Sequence, residues 1–227
     1  MLSMSPAEVD NPTVAGDAVT DGESGCILSL ALPRRLAVCM LMSYNPGVPF
    51  LLDADALIKL NRAGVLEHVA RTFECIVAEA VYHEVVTRGR AFHHPDAEEL
   101  DRIIRESIAV QPSVSGASDI LDSRGMPGVD AGERGVLDVY HSLSAGSAGE
   151  DLIIVSDDHR FLALLDHLEI PALVPMDFIV LMVRQGFLSR KEGRNAVEQM
   201  RPLIREAAFQ RAWQDLEAGP RGMKDGY

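Results

Sequence analysis

Short apolar runs recur along this chain, each three or four residues long and each leading toward a stretch of helical spacing. That alternation limits the possible folds more than any other feature. The runs are Pro49-Phe50-Leu51-Leu52, Cys75-Ile76-Val77-Ala78, Ala109-Val110-Gln111, Leu152-Ile153-Ile154-Val155 and Ala172-Leu173-Val174. Runs without polar alternation suit strands buried on both faces, and strands separated by helices imply right-handed crossovers. The expected architecture is α/β, a three-layer α/β/α domain around a central, mostly parallel sheet. Aromatics make up 5% of the residues while 47% are hydrophobic, so the core must be built mainly from Leu, Val, Ile and Ala.

The intervening segments read as helices. Asp55 to Val69 is broken by Gly64, Glu79 to Val86 is stopped by Gly89, and Pro95 to Ile108 opens with acids where the helix dipole favours them. Asp130 to Ser144 and Asp158 to Leu168 follow the same pattern, and Ser113 to Gly128 reads as loop with one short helix. Extra helices close the chain: Met176 to Gln185, a helix opened by the capping box Ser189-Arg190-Lys191-Glu192 and breaking near Pro202, and Glu206 to Glu217.

Residues 1–47 are set apart as an extension. Met1 to Gly25 has the composition of a disordered segment, rich in Ser, Pro, Gly, Asp and Ala without an apolar period. Cys26 to Met42 is apolar but interrupted by Pro33-Arg34-Arg35, whereas a membrane span needs ~20 apolar residues. The acidic stretch before it has the wrong sign for a signal peptide. Met40 and Met42 stand just ahead of the folded part, and a start there would leave the extension outside the natural protein. The domain is expected over 48–218, with a flexible tail over 219–227.

The three cysteines, Cys26, Cys39 and Cys75, are odd in number and lack CxxC spacing, so neither a disulfide framework nor a zinc site is expected. Reduced thiols fit a cytoplasmic protein, with Cys75 acting as a small buried hydrophobe. A net charge of −13 excludes a protein that coats nucleic acid through bulk positive charge. It does not exclude an enzyme that meets phosphates through bound cations, which reverse the local field.

Acids stand at the element junctions. Asp53 closes the first run and Asp55 follows; Glu84 lies after the second; Asp130 and Glu133 open a helix; Asp157 and Asp158 close the fourth run. Ligand sites of open parallel sheets form beyond the carboxyl ends of strands. Pooled carboxylates repel at short range, and Mg²⁺ or Mn²⁺ is the hard ion that oxygen donors suit. Taken singly, each acid has a plainer reading. Asp55 can cap the first helix, Asp130 and Glu133 form a capping box, and Glu98, Glu99 and Asp101 read as a solvated helix face. The seven histidines show no HxH or HxxxH spacing.

Taken together, in order, the acids resemble a known family. Leu51-Leu52-Asp53-Ala54-Asp55-Ala56-Leu57-Ile58 resembles the opening of PIN domains, and Ala80-Val81-Tyr82-His83-Glu84-Val85 their second motif. Asp130-Ala131-Gly132-Glu133-Arg134-Gly135-Val136-Leu137 resembles a "GE" form of the third, and Ile153-Ile154-Val155-Ser156-Asp157-Asp158-His159-Arg160-Phe161 the fourth. Met176 to Leu188 resembles the branch with extra C-terminal helices, so the likeness spans about Pro49 to Glu217. The resemblance implies metal-dependent cleavage of single-stranded RNA, with Asp53, Glu84, Glu133 and Asp158 holding Mg²⁺ or Mn²⁺. Asp157 is an alternative to Asp158; Asp55, Asp130 and Ser156 would support the site. It also implies a toxin-like role with a small antitoxin-like partner, and a homodimer is a further expectation.

Two rivals stand beside this reading. Asp53-x-Asp55 after an apolar strand also looks like a haloacid-dehalogenase-type phosphatase, with Asp53 as nucleophile. That chemistry needs a Ser or Thr after the second strand and a Lys before the last acids, and no Lys lies between Lys59 and Lys191. The other rival is a catalytically inactive PIN module that binds RNA or a protein. Arg134 and Arg160 are the candidate nucleic-acid contacts, and Arg88, Arg90 and Arg124 also lie near the motifs.

Overall fold

A computed structural model describes residues 47–113, 129–146 and 152–218. The extension before Gly47, the segments 114–128 and 147–151 and the tail from 219 lie outside the described residues. Five strands form one sheet: β1 (Phe50–Leu52), β2 (Cys75–Ala78), β3 (Ala109–Gln111), β4 (Ile153–Val155) and β5 (Ala172–Leu173). Their order is β3-β2-β1-β4-β5 and every pairing is parallel. Leu51 pairs with Ile76 on one side and with Ile154 on the other. All residues of β1, β2 and β4 are buried, as uninterrupted apolar runs require of strands covered on both faces.

The helices are α1 (Ala54–Arg62), α2 (Leu66–Thr72), α3 (Glu79–Tyr82), α4 (Ala97–Ser107), α5 (Ala131–Gly146), α6 (His159–His167), α7 (Pro175–Arg184), α8 (Arg190–Met200) and α9 (Glu206–Glu217). Right-handed crossovers send α1, α2 and α4 to one face and α5 and α6 to the other. The C-terminal helices α7 and α8 pack beside α1. Phe50 of β1, Phe73 after α2 and Phe178 of α7 meet in an aromatic cluster, Phe50 and Phe178 with ring centroids 4.5 Å apart. The capping box at Ser189 forms, with the Ser189 hydroxyl accepting from Glu192 N and the Glu192 carboxylate from Ser189 N.

Three details depart from the sequence reading. Glu79 to Val86 is not one regular helix: α3 passes into a π-helical segment, His83–Arg88, and a last turn, Gly89–Ala91. Asp101 is not a solvated acid but a buried one, 7% exposed. It accepts from the Tyr82 hydroxyl and from the guanidinium groups of Arg105 and Arg90, which hold its carboxyl down to about 2. Asp55 does not cap the first helix; Asp53 does, from the residue that directly follows β1.

Candidate active site

The site lies where the strand order reverses. In this sheet the chain leaves β1 toward β2 and enters β4 on its other side, so a crevice opens beyond the carboxyl ends of β1 and β4. Asp53 follows β1 directly, and Ser156, Asp157 and Asp158 follow β4.

Asp53 is fixed in place. Its Oδ1 accepts from Ala54 N at 2.7 Å and its Oδ2 from the Ser156 hydroxyl at 2.8 Å. Ser156 is fully buried and Asp53 is 6% exposed. Burial pushes the Asp53 carboxyl up to about 6, against the pull of those two hydrogen bonds, and the charges of Asp55 and Asp130 push the same way.

Glu84 arrives from the π-helical segment. Widened turns of this kind occur frequently at functional sites, because they re-aim a side chain without ending the helix. Glu84 Oε2 lies 2.8 Å from the point a Cβ on Gly132 would occupy, and Asp130 Oδ1 lies 3.3 Å from the same point. The Glu84 carboxyl is raised by burial first and then by Asp130 and Asp55, while Arg88 lowers it. Glu133 and Asp130 form their capping box: Asp130 N donates to Glu133 Oε2 at 3.1 Å, and Glu133 N donates to Asp130 Oδ1 at 2.9 Å. Burial raises Glu133, followed by the charges of Asp130, Asp158 and Asp53. Asp158 caps α6, its Oδ1 accepting from Arg160 N at 2.7 Å and Phe161 N at 2.9 Å.

The structure therefore links these acids through Asp130, whose charge acts on Asp53, Glu84 and Glu133, while Asp158 and Asp53 act on Glu133. Asp55, at the rim, acts on Asp53 and Glu84. Asp157 points elsewhere, to an ion pair with Lys59, whose ammonium is also 3.5 Å from Asp55. Sequence reasoning passed over Lys59, although its spacing from Asp55 is the helical i,i+4 pair. It also ranked Asp130 as supporting, whereas Asp130 acts on all three raised carboxyls. Arg160 is exposed and Arg134 half-buried, each in the first turn of a helix that carries a site acid. Arg90 is committed to Glu98 and Asp101. Arg124 lies outside the described residues.

The donors are all oxygen and carry excess negative charge, with Arg88 offsetting only part of it at Glu84. That set suits a hard divalent cation in chemistry and charge. Among the described residues no three such groups stand close enough to hold an ion as they are.

A PIN-domain family model matches residues 49–207. The chain belongs to the PIN-domain family. PIN domains are generally nucleases and typically use divalent metal ions. The PIN assignment accounts for Glu84 and Glu133, which the phosphatase reading leaves without a role. No curated protein and no solved structure matches the chain significantly. Among the described residues no helix is long and apolar enough to cross a membrane.

Proposed function

We propose that this PIN domain is a Mg²⁺- or Mn²⁺-dependent endoribonuclease that hydrolyses phosphodiesters of single-stranded RNA. The observation that carries the reading is the pooling of Asp53, Glu84, Asp130, Glu133 and Asp158 beyond the carboxyl ends of β1 and β4. Such repulsion costs stability unless protons or a cation offset it.

Asp53 is the rigid donor, because Ser156 and Ala54 N fix both its oxygens while leaving lone pairs free. Glu84, Glu133 and Asp158 would hold the metal with it, and Asp130 keeps Glu133 in place. When bound, the metal supplies Lewis-acid polarisation of the phosphoryl oxygen and a water acidified enough to attack. Arg134 and Arg160 offer guanidinium groups to the phosphates on either side. Asp53 acts as a ligand and forms no covalent intermediate.

The test uses a labelled single-stranded RNA and, separately, a small phosphomonoester, each with Mn²⁺. Expected are internal RNA cleavage stopped by EDTA, its loss in Asp53→Asn and Asp158→Asn, and no trapped phosphoprotein. Monoester turnover with a trapped aspartyl phosphate would overturn the reading. One observation favours a second reading, an inactive module: Asp158 and Glu133 already serve as helix caps and, among the described residues, no three acids stand in ligating distance. RNA binding without cleavage at any metal concentration would support that reading instead.

A further inference from the structure

A second concavity adjoins the carboxylate site on the far side of Asp157. It holds about 320 Å³ and is enclosed by the β4–α6 junction, the amino end of α7, and the chain from Pro202 into α9. Its lining includes the cations Lys59, Arg205 and Arg211, beside His159, with Asp157 as its carboxylate. In a chain of net charge −13 this concentration of cations is unusual. Lys59 is paired with Asp157, but Arg205 and Arg211 make no ion pair among the described residues. Arg211 Nε is buried and has no hydrogen-bond partner among the described residues. At the same mouth α7 begins at Pro175, which offers no N–H, and carries Asp177 in its first turn, so the charge that would hold an anion here comes from the side chains. The floor is apolar, with Met176, Met200, Leu203 and Ile204.

Arginines around an apolar floor match one ligand chemistry: a phosphate joined to a flat, largely apolar body. Nucleotides have that character, and a volume of this size is at the lower end of ligand pockets. The position narrows the source. Asp157 is the residue next to Ser156, whose hydroxyl holds Asp53, so the pocket begins on the order of 7 Å of chain from the acids. We infer that this cavity is a subsite for one unpaired nucleotide of the RNA strand whose phosphodiester lies at the carboxylates, with the base on the apolar floor and its phosphate on Arg205 and Arg211. The inference rests on the nuclease reading of the adjoining site. It assigns to the C-terminal helices a role in holding the strand.

The test is binding without cleavage. The full chain is titrated in EDTA with a labelled single-stranded oligoribonucleotide over a range of salt, as wild type, Arg205→Gln, and Arg205→Gln/Arg211→Gln. Arg205 is exposed, so its single variant keeps the test open if loss of Arg211 impairs folding. Expected is several-fold weaker binding, with a slope of log affinity against log salt shallower by about 0.7 for each phosphate that is no longer neutralised. Unchanged affinity and slope in both variants would overturn the subsite. Equal affinity for a free mononucleotide and the oligonucleotide would overturn the strand assignment in favour of a free-nucleotide pocket. Preference for polyglutamate over the oligonucleotide, abolished in the same variants, would overturn it in favour of an acidic protein segment. Because binding alone is read, a failed nuclease reading would leave wild-type binding and its loss in the variants intact, whereas a failed subsite would leave binding indifferent to both variants.

Discussion

Asp53 is caught between two demands. Burial favours its protonated form, while the donors Ser156 and Ala54 N favour the carboxylate, and burial wins, raising the group from 3.8 to about 6. An acid raised on folding binds its proton more tightly in the native state. The stability it contributes is therefore fully present below the unfolded value and lost as pH rises through about 6. Without metal, lowering the pH from about 7.5 to about 5 should stabilise the protein, by on the order of 1.4 kcal/mol from this residue alone. Glu84 and Glu133 are raised in the same direction and add to it. Asp101 acts the opposite way, but only below about pH 4, because its carboxyl is held at about 2. Thermal melting in EDTA across this range checks the sign, and Asp53→Asn should flatten the profile. Ser156→Ala removes a hydrogen bond that favours the carboxylate, so the midpoint should move upward. A profile unchanged by both substitutions would mean that Asp53 does not titrate here. At this scale the sequence was partly legible. Strand-end acids can be read from spacing, but the choice between Asp157 and Asp158 depends on which side of the chain Lys59 occupies, and that is set by α1 packing.

The elements matter through how closely two helices approach. Glu84 reaches the first turn of α5 because α5 lies tightly against α3, and glycines on α5 allow it. A Cβ at Gly135 would meet Ala80 Cβ at 2.7 Å, a neighbour too short to swing aside. Gly135→Ala should therefore lower stability by roughly 1–3 kcal/mol through overpacking, despite the better helix propensity of Ala. At Gly132 the obstacle is Glu84 Oε2 at 2.8 Å, the end of a flexible arm. Gly132→Ala should leave the melting temperature near wild type, since propensity gains up to ~1 kcal/mol, yet it displaces Glu84 and should weaken metal binding. Equal loss of stability in both variants would show that Glu84 cannot yield. Most strands and helices were legible in the sequence because their signals are local: apolar runs, glycine stops and the Ser189 box. The π-helical segment was not. A widened turn leaves no periodicity of its own over six residues. The burial of Asp101 was equally hidden, since its donors Tyr82, Arg90 and Arg105 are spread over separate elements.

For the whole molecule, the electrostatic balance gives the most direct test of the site. Like charges raise one another at Asp53, Glu84 and Glu133 in a chain of net charge −13, so the native state carries repulsion that the unfolded chain relieves by separating them. A divalent cation that binds the native state and not the unfolded one stabilises by mass action, ~2.7 kcal/mol at a hundredfold excess over its dissociation constant. For a chain of this length, that corresponds to a rise in melting temperature on the order of 5–10 °C. Mn²⁺ or Mg²⁺ should produce this rise at neutral pH, and EDTA should reverse it. Protons compete for the same oxygens, so the gain should shrink as pH falls through about 6, opposite in sign to the behaviour of the metal-free protein. Asp53→Asn should behave differently from a surface substitution. It removes a charge and so stabilises the metal-free protein at neutral pH, while blunting the response to metal. Raising monovalent salt separates screening from binding, because screening relieves the repulsion equally for every ion of the same strength. A rise that an equal ionic strength of NaCl reproduces would show that the acids need only screening, and would leave the crevice without a bound ion. A rise specific to the divalent ion and abolished in Asp53→Asn would place that ion on Asp53.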